Sequence, residues 1–179
     1  MALKATIFKA ELQIADMDRH YYQNHTLTIA RHPSENDERM MIRLLAFSLF
    51  ADEQLSFTKG LSTDDEPDLW LKNYSGEIEL WIDLGQPDEK RIRKACGRAQ
   101  SVVLINYGGR TSETWWDQMA GKLDRFQNLK VLNLPESSSK TLAELAERNM
   151  QLSASIQDGH IMLSNERHSL DITLEQRKD

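Results

Sequence analysis

Hydrophobic and polar positions alternate with a period of two across Glu77–Gly85. Ile78, Leu80, Ile82 and Leu84 fall on one side of a strand, and Glu77, Glu79, Trp81 and Asp83 fall on the other. The same period marks Lys4–Ile14, where Thr6, Phe8, Ala10, Leu12 and Ile14 share a side. After a turn at Asp16-Met17-Asp18 it predicts a second strand over His20–Arg31. The spacing becomes helical over Glu35–Ala51. There Met41, Leu44, Leu45, Ser48 and Leu49 form an apolar face, while Glu35, Glu38, Arg39 and Arg43 lie on the polar side. A short strand, Leu55–Lys59, precedes a turn at Gly60.

Beyond the alternating strand, elements follow one another without a break. Pro87 is placed as the first residue of a helix running to Arg98, with Ile92, Ala95, Cys96 and Ala99 inward. Ser101–Tyr107 is an apolar strand suited to a central position, Thr111–Phe126 a helix, Leu129–Leu134 a strand and Ser137–Asn149 a helix. Strand and helix alternating from Glu77 to Leu134 predict parallel pairing through right-handed crossovers. From Met150 the pattern is strands only. Met150–Ile156 and His160–Ser164 flank Gln157-Asp158-Gly159, a hairpin signal, and Ser169–Leu174 adds a third strand. The expected architecture is α/β (α+β), one domain over residues 1–179 that includes the antiparallel strands 150–174.

Composition narrows the partners. The chain has 179 residues, 40% of them hydrophobic, enough for a substantial core. A net charge of −6 means that nucleic acid would have to be met by a local basic patch rather than by the surface as a whole. One cysteine, Cys96, allows no intrachain disulfide. The first residues lack the apolar core of a signal peptide, and the most apolar helical stretch, Met40–Phe50, contains Arg43 and is too short for a bilayer. The expectation is a cytoplasmic protein without a membrane partner.

Two charged segments carry the candidate chemistry. The first is the acidic run Asp64-Asp65-Glu66-Pro67-Asp68 together with the carboxylates of Glu77–Asp83. Such groups repel one another when gathered, and a hard cation such as Mg²⁺ or Mn²⁺ relieves that repulsion. Asp65, Glu66, Asp68 and Asp83 are therefore candidate metal ligands. The alternative is a solvated strand face with a surface turn, an Asp capping a helix over Glu66–Leu71. The second segment is the helix with Lys90, Arg91, Arg93, Lys94 and Arg98. Acid beside base is what phosphodiester hydrolysis needs: a carboxylate-held metal activates water, and a cation stabilises developing negative charge. The alternative is a wet helix face. Trp81, amid the acids, either stacks on a base or packs in the sheet; Trp115-Trp116 poses the same choice. The histidines and Cys96 lack zinc-ligand spacing. Gly108-Gly109-Arg110 is too short for a phosphate loop.

The motifs Met-Ala-Leu-Lys-Ala-Thr-Ile at the start, Ala30-Arg-His-Pro-Ser-Glu35, Glu38-Arg-Met-Met, Asp64-Asp-Glu-Pro67, Leu84-Gly-x-Pro-Asp-Glu, Trp115-Trp116 and Ile156-Gln-Asp-Gly together resemble the bacterial YaeQ family over essentially the whole chain. That family has no established biochemical function. The resemblance implies a variant of the PD-(D/E)XK nuclease fold, with a central mixed sheet and helices on both faces. It makes Pro67-Asp68 a counterpart of the first acid, with Asp65 and Glu66 equally eligible, and Asp83 of the second, and it puts Gly85 where those nucleases carry lysine. Lys94 or Lys90 would then reach back from the helix, and Glu35 or Glu38 would supply a further acid. Asp83, Lys94 and Lys90 are the expected catalytic residues, and Arg91, Arg98, Glu35 and Trp81 the expected substrate contacts. The expected function is a metal-dependent nuclease-like phosphodiesterase or a nucleic-acid-binding protein; the alternative is a catalytically inactive protein-interaction module that reuses the fold.

Overall fold

The structure, a computed structural model, describes residues 4–58 and 65–179. Lys59, the turn at Gly60 and Asp64 of the acidic run lie outside the described residues, as do the first three residues. In chain order the elements are β1 (Thr6–Asp16), β2 (Tyr21–Arg31), α1 (Asp37–Phe50), β3 (Leu55–Phe57), β4 (Leu69–Lys72), β5 (Ile78–Leu84), α2 (Glu89–Arg98), β6 (Ala99–Asn106), α3 (Arg110–Leu123), β7 (Leu129–Asn133), α4 (Glu136–Ala143), β8 (Asn149–Gln157), β9 (His160–Ser164), β10 (Ser169–Thr173) and β11 (Glu175–Lys178). The mixed α+β class agrees with expectation, but the strands form two mixed sheets instead of one central sheet. The chain divides into two compact units, one of residues 1–49 and 137–174, the other of 50–136 and 175–179.

The first unit holds a five-stranded sheet in the order β10-β9-β8-β1-β2. β1 runs antiparallel to β2 in unbroken register from Thr6↔Arg31 to Asp16↔Tyr21, and parallel to β8 from Lys9↔Asn149. Alternation along β1 buries Phe8, Ala10, Leu12 and Ile14, and along β8 Met150, Leu152, Ala154 and Ile156. The hairpin at Asp158-Gly159 forms, both residues at positive φ (53° and 77°). α1 is buried almost all round from Met40 to Ser48. This corrects the polar side assigned to it, because Arg43 is only 2% exposed. Its guanidinium survives burial by giving Nε to Glu35 Oε2 at 3.1 Å, Nη2 to Glu35 Oε1, and Nη2 to the Ala30 carbonyl at 2.8 Å. α4 ends at Ala143, shorter than expected, and Asn149 already belongs to β8.

The second unit holds a six-stranded sheet in the order β11-β7-β6-β5-β4-β3. β5, β6 and β7 pair in parallel, as the strand–helix succession requires. β3, β4 and β5 pair antiparallel, and β11 closes the far edge against β7. β4 replaces the helix considered over Glu66–Leu71, and β11 was not foreseen. α2 begins two residues later than the expected start at Pro87: Asp88 is its N-cap, accepting from the Arg91 N–H at 2.8 Å, and Glu89 is its first residue. Ile92 and Ala95 of α2, Met119 and Leu123 of α3, and Trp81, Val102, Leu104, Leu129 and Val131 of the sheet form one core cluster.

Candidate functional site

The parallel register sets Trp81 beside Val102 and Asp83 beside Leu104, residues of the same core cluster or next to it. The polar side of β5 therefore faces protein rather than solvent at its C-terminal end. Trp81 is 1% exposed and Asp83 3%, which overturns the solvated-face alternative there; only Glu79, earlier in the strand, is exposed.

A buried carboxylate is tolerable only when its oxygens are satisfied. Asp83 meets this through three donors. The Trp81 indole N–H reaches Oδ2 at 3.0 Å. Arg91, one turn into α2, presents Nε to Oδ2 at 2.9 Å and Nη2 to Oδ1 at 3.1 Å, the two-pronged geometry of a strong guanidinium–carboxylate pair. The same Nη2 donates to the Glu66 carbonyl at 2.9 Å, so one side chain ties strand, helix and acidic turn together. Arg91 and Arg98 also lie over the Trp81 ring, 5.9 and 5.3 Å from its centroid.

The acidic turn does sit beside β5. Asp68, 5% exposed, receives the Leu84 N–H on Oδ2 at 2.9 Å and gives its own N–H to the Ile82 carbonyl at 3.0 Å. Asp65 lies farther out. Its carboxylate takes Lys94 Nζ at 2.7 Å, and its backbone carbonyl takes Arg98 Nη1 at 2.8 Å. The hydrogen bond and charge of Lys94 hold the Asp65 carboxyl below the ordinary carboxylate range. Three of the five cations of α2 are thus engaged with the turn or with Asp83. Lys90 and Arg93 are exposed, and neither makes an ion pair among the described residues. Glu35 belongs to the other unit, where Arg43 and Arg39 hold its carboxylate, the latter at 2.9 Å.

These side chains suit a metal poorly. Asp83, the expected central ligand, already holds a guanidinium that would repel a dication. Asp68 is committed in part to a backbone amide, and Asp65 to Lys94. Among the described residues no group of three or more His, Cys, Asp or Glu side chains is arranged to hold a metal ion.

Sequence reasoning missed a second polar cluster, at the carboxyl ends of β5, β6 and β7. That end of an open parallel sheet is where ligands usually enter. Here β11 sends Arg177 across it. Its Nη1 donates to Asn106 Oδ1 at 3.1 Å and Ser112 Oγ at 2.8 Å, and its Nη2 to Glu113 Oε1 at 2.7 Å. Ser112 in turn donates to Asn133 Oδ1 at 2.6 Å, and Asn106 Nδ2 to the Gly85 carbonyl at 2.7 Å. Gly109 precedes α3 with φ +61°, and a Cβ there would collide with the Glu136 carboxylate, whose Cδ would lie 2.9 Å away. The helix start is therefore covered by an anion of the protein itself. The only sequence signal was the Gly108-Gly109 pair, too short to read.

The family model described as YaeQ protein matches residues 1–174. The Salmonella typhi protein named Uncharacterized protein YaeQ is 52% identical over 174 residues, 97% of this chain and 96% of that one. Its Escherichia coli K12 counterpart is 49% identical over the same shares. Among solved structures, the YaeQ protein from Xanthomonas axonopodis pv. citri superposes with a TM-score of 0.95 at 52% identity, covering 97% of this chain and 98% of that one. The YaeQ protein from Pseudomonas syringae superposes at 0.94 with 32% identity, covering 98% and 97%. With a match this long in sequence and in fold, the chain belongs to the YaeQ family.

Proposed function

We propose that this protein is a catalytically inactive interaction module on a nuclease-like scaffold. One observation carries the reading. The carboxylate that would anchor a Mg²⁺ or Mn²⁺ ion, Asp83, is buried and closed by Arg91 and Trp81. A guanidinium there supplies the positive charge that a metal would bring, without a bound water to activate. For hydrolysis to occur, Arg91 would have to leave Asp83, and Lys94 would have to leave Asp65 to serve as the migrated lysine. Each departure strips a carboxylate of its counterion.

The test is a cleavage assay on single- and double-stranded DNA and RNA with Mn²⁺, run beside thermal melting with and without the metal. The expected outcome is no cleavage and an unchanged melting temperature. Cleavage that requires Mn²⁺ and disappears in Asp83→Ala would overturn the reading and restore the nuclease.

Nucleic-acid binding without hydrolysis stands as the second reading, favoured by one observation. Lys90 and Arg93 project from α2 with no ion-pair partner among the described residues, next to the half-exposed Lys94. A footprint built on two or three cations would give a shallow salt dependence, about 0.9 log units of affinity per log unit of salt for each phosphate contacted. Lys90→Ala with Arg93→Ala should lower that slope by about two phosphate contacts, roughly 1.8 log units per log unit of salt. Full binding by the double variant would remove α2 from the interface.

A further inference from the structure

The pocket at the carboxyl ends of β5, β6 and β7 is filled by the chain's own Arg177, whose side chain is 5% exposed. Its guanidinium meets only acceptors there. Nη1 donates to Asn106 Oδ1 at 3.1 Å, to the Ser112 carbonyl at 3.2 Å and to Ser112 Oγ at 2.8 Å, and Nη2 donates to Glu113 Oε1 at 2.7 Å. The Trp116 ring lies 5.9 Å from the guanidinium carbon, within cation–π range. Asn106 and Ser112 are both 0% exposed. The Gly85 carbonyl takes the Asn106 amide N–H, which leaves Oδ1 to face the pocket, and Asn133 takes the Ser112 hydroxyl proton. Protein groups therefore fix the acceptors in place. Fixed acceptors around a planar fork of donors fit a guanidinium and fit an ammonium poorly.

The strand that delivers Arg177 is slight by comparison. β11 has four residues, the first two of them exposed, and it forms the outer edge of its sheet. Its register on β7 runs Glu175↔Asn133, Gln176↔Leu132 and then Lys178↔Val131, so Arg177 is the extra residue of a bulge. A bulge re-aims a side chain, and bulges gather at sheet edges and beside functional sites. Pocket and strand belong to the same compact unit. The arrangement is that of strand addition, in which an extended segment pairs with a sheet edge and a pocket takes one of its side chains.

We propose that the β7 edge with its guanidinium pocket is a docking site for an arginine-bearing extended segment of a partner protein, and that β11 is the built-in competitor for it. The chemistry of the occupant follows from the strand that fills the site now. Its backbone runs antiparallel to β7, and its arginine satisfies the buried oxygens of Asn106 and Ser112. A neutral or acidic side chain would leave those oxygens without a donor, at the cost of their desolvation. Glu113, with a side chain 60% exposed, adds attraction for a basic segment at the mouth of the pocket. A tethered competitor acts at an effective concentration of about a millimolar, so only a segment with further contacts displaces it. This docking edge rests on the reading of the protein as an interaction module. Cleavage assays test that reading and peptide binding tests the edge, so either can fail alone.

The experiment titrates the acetylated peptide Leu-Glu-Gln-Arg-Lys-Asp, the sequence of residues 174–179, into the full chain and reads the Trp116 indole N–H by NMR. Arg177→Ala, which removes the anchor of the internal competitor, should show a saturable shift. The wild type should bind the same peptide at least about tenfold more weakly, because its own strand competes. A peptide with citrulline in place of arginine, alike in shape but uncharged, should saturate neither. A folded Arg177→Ala chain that shows no saturable shift overturns the proposal, as does a citrulline peptide that binds equally well. Amide exchange of the wild type gives a readout that needs no variant. The β11 amides should exchange at least about a hundredfold faster than those of β6, through local opening. If both exchange only through global unfolding, β11 is a fixed part of the sheet and the docking edge is refuted.

Discussion

Arg91→Ala is the sharpest test of how the acidic strand is stabilised. The substitution removes both prongs from Asp83 and the bond to the Glu66 carbonyl, and leaves the carboxylate with the Trp81 N–H alone. The Asp83 side chain is 4% exposed and that of Arg91 28%, so water replaces the guanidinium only partly. Removing one partner of a buried ion pair costs about 3–5 kcal/mol. The partial exposure of Arg91 argues for the lower end, about 3 kcal/mol. In a chain of this length each kcal/mol moves the melting temperature by about 2–4 °C, so the expected drop is about 6–12 °C. Urea denaturation should give the same loss as a lower midpoint with unchanged slope. Arg91→Lys should recover little, because an ammonium cannot bridge both oxygens and the Glu66 carbonyl together. Replacing both partners with apolar residues, Asp83→Leu with Arg91→Met, should cost less than Arg91→Ala alone. A loss below about 1 kcal/mol for Arg91→Ala would class the pair with ordinary surface bridges, and the closure of Asp83 by Arg91 would carry no weight.

Further expectations concern the rest of the molecule. Glu35→Ala takes the carboxylate from the buried Arg43 guanidinium and should cost about 3–5 kcal/mol in urea denaturation. Asp18 accepts the Gly159 and Asp158 amides, which lower its pKa, so its contribution is present above the unfolded carboxyl value and lost as pH falls through the depressed folded one. Asp18→Asn should therefore flatten the fall in melting temperature on acidification below about pH 4, the unperturbed carboxyl value. Burial pushes the Cys96 thiol up to about 11, with Lys178 opposing, so it should react with iodoacetamide at pH 8 far more slowly in the folded than in the urea-unfolded chain. Gly109→Ala must place a Cβ against Glu136 at a left-handed φ and should destabilise by more than about 1 kcal/mol, read by calorimetry.

Where neighbours in sequence are neighbours in space, the residues gave the structure away. β5, α2, β6, α3 and β7 pair in the order in which they occur, and each carries its own period. β4 was hidden because Leu69-Trp-Leu-Lys is apolar on both sides and follows a Glu-Pro-Asp turn signal. β11 was hidden because Glu-Gln-Arg-Lys has the composition of a tail, and its pairing depends on β7, some forty residues earlier. Arg43 was misplaced because helical spacing reports polarity, not the presence of Glu35 eight residues back. The acidic and basic segments were correctly singled out as neighbours, and the turn, the strand end and α2 do meet. What spacing could not show is that Arg91 turns inward onto Asp83 while Lys90, its neighbour, turns out. That choice is made by the register of β5 under α2.

The parallel pairing of β1 with β8 has a consequence for how the protein is made. Lys9 finds its partner at Asn149, so 140 further residues must leave the ribosome before the middle of the first sheet can close. Only the β1–β2 hairpin is available earlier, with an apolar face and nothing to cover it but α1. Meanwhile residues 50–136 can form most of the second sheet, though one edge strand, β11, comes only at Glu175–Lys178. Both sheets are thus finished by strands that follow residue 148, and long-range closure of this kind is slow. A nascent chain stalled near residue 140 should expose apolar strand surface and attract chaperones, whereas release of the remaining segment should end that engagement abruptly.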